Sequence, residues 1–205
     1  MILLYTLDEN RGSALADSSG LEPRLDLALD PNATSWITGG VQVRAPSQVN
    51  TPGPARKLYD ACRKTNSLSL EAWVKPANAV QDGPARIVAY SKDAANCNFA
   101  LGQVKDRYQF LVRTTQSGPA GAPFYSPAGA AGPGVLAHLV CTRELSGEVS
   151  FYLNGQGASG KADGLFSSWD AAGRLGLANE PGLGKPWVGE IHLVAVYDRV
   201  LSSSE

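Results

Sequence analysis

Two glutamates are the candidates for acid–base chemistry in this sequence. Glu71 and Glu190 each fall on the polar face of an alternating segment, and a glycosidase needs two carboxyl groups on either side of the scissile bond. No compact Glu-x-Asp-x-x-Glu string, which would place acids on one strand face, occurs. The sequence therefore predicts no catalytic residues. A polysaccharide hydrolase or lyase that pairs Glu71 with Glu190 remains the alternative.

For other catalytic motifs, the sequence lacks a required residue or the required structural context. The segment 155–162 nearly spells a phosphate-binding loop, but it ends in Ala162, which has no hydroxyl for magnesium, and it follows an Asn-Gly turn. No G-x-S-x-G elbow accompanies a histidine. His138 and His192 are the two histidines, and we expect structural roles for both. A nucleotide site and a serine hydrolase are thereby excluded.

Aromatic side chains outside the predicted core suggest ligand binding instead. An aromatic ring stacks on the apolar face of a sugar, while neighbouring polar groups bond the hydroxyls. Trp73 shares a strand face with Glu71 and Lys75. Trp169 and Trp187 also fall in loop-like stretches, where they would support binding or, with Trp36, simply seal sheet edges. The candidate ligand-binding residues are Glu71, Trp73, Gln109, Arg113, Phe124, Tyr125 and His192.

Two acidic turns near the beginning of the chain are candidate metal sites. Asp8 and Asp17 lie in polar turns that offer the hard oxygen ligands calcium prefers. Aspartates in turns also cap their own backbone. We therefore keep a structural calcium near Asp17 as one hypothesis and backbone capping as the other, and expect no further cofactor.

The elements that would position these residues are mainly β-strands. Residues 67–75 alternate strictly between two faces, and 108–113, 149–154 and 190–197 show the same period of two, with a mixed outward face in 190–197. Asn154-Gly155 predicts a hairpin. One short helix is predicted over 54–64, and 116–134 is predicted to be a long surface loop that could carry function. Further strands are predicted at 2–7, 25–29, 41–44, 86–91, 98–103, 136–142 and 174–178.

Composition narrows the class of protein. The 205 residues include 22 Gly and 13 Pro, which suits many short strands joined by tight turns. The net charge is −1, without runs of like charge, so we expect neither nucleic-acid binding nor membrane insertion. Cys62, Cys97 and Cys141 allow at most one internal disulfide, and Cys141 is expected to be a small buried apolar residue. The pattern predicts one all-β domain over 1–205, a sandwich of two antiparallel sheets.

Three segments carry a family resemblance. They are 69–76, the pair of strands running from Leu136 to Gly155, and the final segment 189–202. Together with the opening 5–20 they resemble bacterial laminin-G-like domains of the concanavalin A-like lectin/glucanase superfamily. The resemblance implies a jelly roll whose concave face or loop rim binds ligands, often with a structural calcium. His192 stands where many relatives have an aspartate, which argues against that calcium.

The resemblance also suggests a biological setting. We expect a non-catalytic recognition module that binds a glycan or an extracellular protein surface. A further alternative is a structural or protein-docking domain. The expected location is extracellular or periplasmic, as part of a longer bacterial precursor.

Overall fold

The computed structural model of the protein describes residues 1–47, 49–81, 83–182, 184–202 and 205. It consists mainly of β-strands, with one α-helix, α1 (Arg56–Thr65). In chain order the strands are β1 (Leu3–Tyr5), β2 (Ala14–Leu15), β3 (Leu27–Ala28), β4 (Thr34–Ile37), β5 (Gly40–Val43), β6 (Val49–Asn50), β7 (Leu68–Pro76), β8 (Ala85–Ser91), β9 (Cys97–Val104), β10 (Arg107–Val112), β11 (Ala122–Tyr125), β12 (Ala137–Arg143), β13 (Glu148–Leu153), β14 (Gln156–Lys161), β15 (Arg174–Leu177) and β16 (Gly189–Tyr197).

The strands form two main antiparallel sheets that pack around one apolar core. The large sheet has eight strands in the order β14-β13-β12-β7-β16-β5-β4, with β1 also paired to β16. The small sheet has six strands in the order β11-β10-β9-β8-β15-β6, and β2 pairs separately with β3. Both sheets contribute to a single buried cluster. The predicted all-β sandwich of the concanavalin A type is confirmed.

Strand β7 lies at the centre of the large sheet, between β12 and β16. Its predicted inner residues, Leu68, Leu70, Ala72 and Val74, are all completely buried. Because successive side chains of a strand point to opposite faces, the intervening residues project from the outer face of the sheet. The outer face of β7 therefore presents a row of side chains that the core does not use.

The hairpin between β13 and β14 follows its turn signal. Leu153 pairs with Gln156, which leaves Asn154 and Gly155 as a two-residue loop. Their φ angles are 50° and 78°, the positive values that a type I′ turn requires. The Asn-Gly prediction is confirmed, and it fixes the register of the strands on either side.

Some element boundaries differ from the sequence expectations. The predicted loop 116–134 contains the edge strand β11, which pairs with β10. The helix begins two residues later than predicted and ends before Asn66, whose positive φ of 51° terminates it. The short strands β2, β4 and β6 were not predicted, because two to four residues give too little alternation to recognise.

Cys62, Cys141 and the helix contribute to the main core, whereas Cys97 belongs to a small separate cluster with Ala89, Ala100 and Leu111. Cys62, Cys97 and Cys141 are all buried and free, as expected for Cys141. Burial raises the pKa of Cys97 to about 12, so this thiol stays protonated near neutral pH. Within the described residues, α1 is too short and polar to cross a membrane, and no longer apolar helix occurs.

Candidate functional site

A carboxylate, an imidazole and a phenol meet on the outer face of the large sheet. Glu71 lies on β7, His138 on β12 and Tyr197 on β16. The Nε2 atom of His138 is 2.9 Å from Glu71 Oε1, and the Tyr197 hydroxyl donates to Glu71 Oε2 at 3.1 Å. Burial and the neighbouring Glu71 carboxylate raise the pKa of Tyr197 to about 12, which keeps its proton in place for this bond. Each Glu71 oxygen retains a second lone pair for a further donor.

Trp73 packs against this cluster. His138 and Trp73 are direct partners across β12 and β7, and their rings stack with centroids 4.5 Å apart and an interplanar angle of 16°. The tryptophan is 36% exposed. The stack therefore holds a partly exposed indole in place beside the Glu71–His138 pair.

A groove of about 270 Å³ opens next to the cluster. We call it the His138 groove. Its lining includes Glu71 and His138 of the cluster and Tyr152 of β13. The Tyr152 ring lies directly over Gly157 of β14, where a Cβ atom would come within 2.5 Å of the ring. The full lining is Glu71, His138, Val140, Tyr152, Gly155, Leu201, Ser202 and Glu205.

The segment after β16 forms one wall of this groove. The Ser69 hydroxyl donates to the carbonyl of Arg199 at 2.7 Å and accepts from the Leu201 amide at 3.0 Å. These two bonds hold the segment against β7. Arg199 also pairs with Glu205. The wall therefore consists of chain that folds back over the sheet after the last strand.

The two candidate catalytic glutamates do not form a pair. Glu190 lies opposite Lys75 on the adjacent strand, whereas Glu71 lies opposite Ala195. The four-residue offset along β7 corresponds to about 13 Å at 3.3 Å per residue, and a glycosidase pair needs roughly 5 to 9.5 Å. The hypothesis of a hydrolase based on Glu71 and Glu190 loses its geometric support.

His192 lies at an irregularity in β16. The pairing of β16 with β7 shifts register between Ile191 and Leu193, and His192 is the residue between them. Its Nδ1 atom is 2.8 Å from the Gly39 carbonyl oxygen and its Nε2 atom 3.2 Å from Glu190 Oε2. His192 therefore lies on the large sheet with Glu71 and Trp73, but it belongs to a separate cluster around Glu190.

The remaining predicted ligand-binding residues lie on or next to the small sheet. Gln109 is on β10, and its side-chain amide donates to the Tyr125 hydroxyl at 2.7 Å. Arg113 follows β10 and is half-buried. Phe124 packs towards the core, 6.4 Å from the ring of Phe110. The seven predicted residues thus fall on two different sheets, and the structure does not bring them together in one site.

The outer face of the small sheet is largely covered. Arg86 and Glu180 form an ion pair of 3.1 Å with side chains only 2% and 1% exposed. Ser91 also donates to Glu180, and Arg86 contacts Gln109. Glu180 belongs to the loop after β15, which folds back so that the Arg86 amide donates to the Lys185 carbonyl. Gln109 is buried in this network and is unavailable to a ligand in this conformation.

Two tryptophans from loop-like stretches belong to the core. Trp187 is completely buried and donates to Gln103 at 2.8 Å. Trp169 stacks on Phe166 with ring centroids 4.4 Å apart. Both therefore seal the structure, as the structural alternative predicted. Trp36 is half-buried on β4, and Trp73 is the most exposed of the four tryptophans, with a polar cluster beside it.

The proposed calcium site near Asp17 does not fit the structure. The Asp17 carboxylate is buried and contacts only donors, namely the ammonium of Lys57 at 2.5 Å and the backbone amides of Leu4, Ser19 and Leu25. A cation placed there would face Lys57. Asp8 is exposed and accepts from the hydroxyl of Thr6. In the described part of the chain no three His, Cys, Asp or Glu residues are grouped to hold a metal ion.

Sequence reasoning missed several groove residues. His138 was expected to be structural, and Tyr152 and Tyr197 were treated as ordinary strand positions. Their positions in the alternating strand pattern could have pointed to the tyrosines, because Tyr152 and Tyr197 lie on strands that border β12 and β7 in the sheet. Only the strand order and the cross-strand register reveal that His138 faces Trp73.

Comparison with known proteins identifies the fold family and gives no specific function. A laminin G model described as the concanavalin A-like lectin/glucanases superfamily matches residues 50–205. None of the curated proteins compared with this chain is similar to it in sequence.

Solved structures share the architecture at low sequence identity. Trypanosoma rangeli sialidase in complex with sialic acid gives a TM-score of 0.70 at 14% identity, over 98% of this chain and 31% of the sialidase. The binding domain of botulinum neurotoxin serotype D/C VPI 5993 gives 0.68 at 14%, over 99% of this chain and 50% of that domain. The botulinum neurotoxin DC binding domain in complex with rat synaptotagmin II gives 0.68 at 15%, over 99% and 49%. This chain thus spans half or less of the length of these proteins, and the likeness shows the fold alone.

Proposed function

Because this chain belongs to the concanavalin A-like lectin/glucanase superfamily, we propose that it is a non-catalytic recognition module that binds carbohydrate at the His138 groove and Trp73. Its setting in this proposal is a larger extracytoplasmic bacterial protein. The observation that carries the proposal is the partly exposed Trp73, held by a stack on His138 beside the half-buried carboxylate of Glu71.

The chemistry of the site supports this proposal. A partly exposed indole offers apolar contact to the C–H face of a sugar ring. Glu71 accepts hydrogen bonds from sugar hydroxyls through its remaining lone pairs, and its bonds to His138 and Tyr197 fix its position before the ligand arrives. A groove of about 270 Å³ is slightly smaller than the usual range for small-molecule sites, which suits a shallow contact with part of a longer chain.

A protein-docking domain is the second candidate function. The burial of Trp169 and Trp187 removes two of the aromatic residues that favoured carbohydrate binding. Among the structurally similar proteins, one was solved with sialic acid and another with synaptotagmin II. Both ligand classes therefore occur with proteins that contain this architecture, and we favour carbohydrate because of the stacked indole and its carboxylate.

The test compares two exposed aromatic residues on opposite sheets. Trp73→Ala should weaken binding to polysaccharides in affinity gel electrophoresis at least about tenfold, the loss of one stacked ring. Tyr125→Ala is the matched control, because Tyr125 is 46% exposed but lies on the small sheet. It should bind like the wild type, and neither variant should unfold.

Four outcomes would count against the proposal. Equal loss in both variants would place the site elsewhere, and no retardation by any polysaccharide in the panel would favour protein docking. Release of reducing ends that Glu71→Gln abolishes would show an enzyme. A large fall in melting temperature for Trp73→Ala would mean that the indole is a structural residue.

A further inference from the structure

A second groove of about 320 Å³ lies on the large sheet, at the other end of the exposed row of β7. We call it the Arg44 groove. It is lined by Gln42 and Arg44 at the end of β5, by Lys75 of β7, and by Gly189 and Glu190 of β16. The two grooves do not share a lining residue.

Trp73 lies between the two grooves. Glu71 lines the His138 groove, Lys75 lines the Arg44 groove, and Trp73 is the residue between them on the same face of β7. At 3.3 Å per residue each step along this row is about 7 Å. A single sugar ring cannot contact both Glu71 and Lys75, about 13 Å apart, whereas an oligosaccharide laid along β7 can.

The grooves differ in charge. The charged side chains of the Arg44 groove are Arg44, Lys75 and Glu190, an excess of one positive charge. Those of the His138 groove are the carboxylates Glu71 and Glu205, with no lysine or arginine among its lining residues. A ligand that enters both grooves therefore meets positive charge at one end and carboxylate acceptors at the other.

The cation in the Arg44 groove that lacks a counter-ion is Arg44 itself. Lys75 pairs with Glu190 at 3.1 Å, and Glu190 also contacts His192. The ion pairs of the described residues do not include Arg44, whose guanidinium donates one bond to the Thr34 carbonyl at 3.3 Å. A guanidinium has five N–H donors in a planar fork that matches a carboxylate or sulfate. Most of that fork is unused.

We infer that the ligand is an acidic polysaccharide, with a neutral portion at Trp73 on β7 and a carboxylate or sulfate substituent that reaches across β16 to Arg44 at the end of β5. This inference rests on the proposed carbohydrate-binding function and adds the ligand class. Lys75 lines the same groove, but its ammonium is paired with Glu190 at 3.1 Å, so Arg44 supplies most of the selectivity for an anion.

The test uses polymers that differ only in charge. Polygalacturonate and its methyl ester isolate the contribution of the carboxylate, and chondroitin sulfate and unsulfated chondroitin isolate that of the sulfate. We expect at least one charged polymer to retard the wild-type protein more strongly than its less charged counterpart, with the preference reduced at high ionic strength. Arg44→Gln should lower the affinity for that polymer about tenfold, the loss of one charge-assisted contact, and leave the counterpart unaffected.

A matched variant separates a specific contact from the overall charge. Arg107 is exposed on β10 of the small sheet, so Arg107→Gln removes the same charge at a distance from the groove. It should retain the wild-type preference. Equal effects of Arg44→Gln and Arg107→Gln, or equally strong binding of polyglutamate, would overturn the inference, because net charge alone would then explain binding.

The same experiment distinguishes this inference from the proposed function. If Trp73→Ala loses binding to charged and uncharged polymers alike while Arg44→Gln behaves as the wild type, the carbohydrate site stands and the acidic ligand class is wrong. If no polymer binds the wild-type protein, both fail.

Discussion

Similar polar residues lie on the outer faces of the two sheets, but they are partly exposed on one face and covered on the other. On the large sheet, Glu71, Lys75 and Glu190 remain partly exposed beside open grooves. On the small sheet, Arg86 and Glu180 are almost completely buried beneath the loop that follows β15. The same pattern of alternating residues thus gives an open face on one side of the sandwich and a covered face on the other.

The comparison shows what separates a binding face from a structural one. Buried polar groups must find partners within the protein, and the network of Arg86, Glu180, Ser91 and Gln109 supplies them. An open face can leave hydrogen-bonding capacity to water, as Arg44 does, and a ligand can displace that water. The unused capacity of polar groups, rather than their number, marks the candidate site.

The largest expected effect concerns the covered face. Arg86→Met leaves Glu180 buried without its cation and should lower the free energy of unfolding by about 3–5 kcal/mol, measured by urea denaturation. The double variant Arg86→Met with Glu180→Met should recover much of this loss, because it removes both charges. Carbohydrate binding at the large sheet should be unchanged in every variant that folds. A loss below about 1 kcal/mol for the single variant would mean that water reaches the pair and that the face is open.

The Lys57–Asp17 ion pair lies on neither outer face, but it is also buried, and its contribution to stability should depend on pH. Burial by itself raises the pKa of Asp17, but the hydrogen bonds from Lys57 and from the amides of Ser19 and Leu25 outweigh it and lower the pKa below 3.8. A carboxyl group with a lowered pKa in the folded state stabilises the fold above its unfolded pKa. That contribution falls as the pH drops below about 4 and through the pKa of the folded state.

Asp17→Asn should therefore cost about 3 kcal/mol at neutral pH, because it leaves Lys57 buried without a counter-ion. The difference from the wild type should shrink as the pH falls below about 4. Urea unfolding at a series of pH values measures it, with Asp8→Asn as the control because Asp8 is exposed. A difference that stays constant with pH would show that Asp17 acts only through packing.

The inner face of the long central strand β7 could be predicted from the sequence, whereas that of β16 could not, because the irregularity at His192 changes which residues face the core. Leu68, Leu70, Ala72 and Val74 are buried because their alternation leaves no other way to remove them from water, and the Asn154-Gly155 turn follows from backbone sterics. These features depend on neighbours in the chain. They fixed the fold class without knowledge of the strand order.

The site itself could not be predicted, because its contacts join distant parts of the chain. Trp73 and Glu71 were recognised on β7, but the stack with His138 depends on the register between β7 and β12. Gln109 was a candidate ligand-binding residue, and only the loop after β15 reveals that its side chain is covered. Alternation predicts which side chains point outward and cannot tell whether a loop covers them.

The smallest expected effect concerns the open face and completes the comparison. Lys75 and Glu190 form an ion pair of 3.1 Å, but their side chains are 36% and 21% exposed. Lys75→Gln should change the free energy of unfolding by less than about 1 kcal/mol, because water solvates the remaining charge and Glu190 keeps its contact with His192. Urea denaturation of Lys75→Gln and Arg86→Met under the same conditions gives the ratio of their losses in unfolding free energy. If Lys75→Gln lowers the free energy of unfolding as much as Arg86→Met does, the row along β7 stabilises the fold as strongly as the covered network. Its exposed polar groups would then serve the fold and not a ligand.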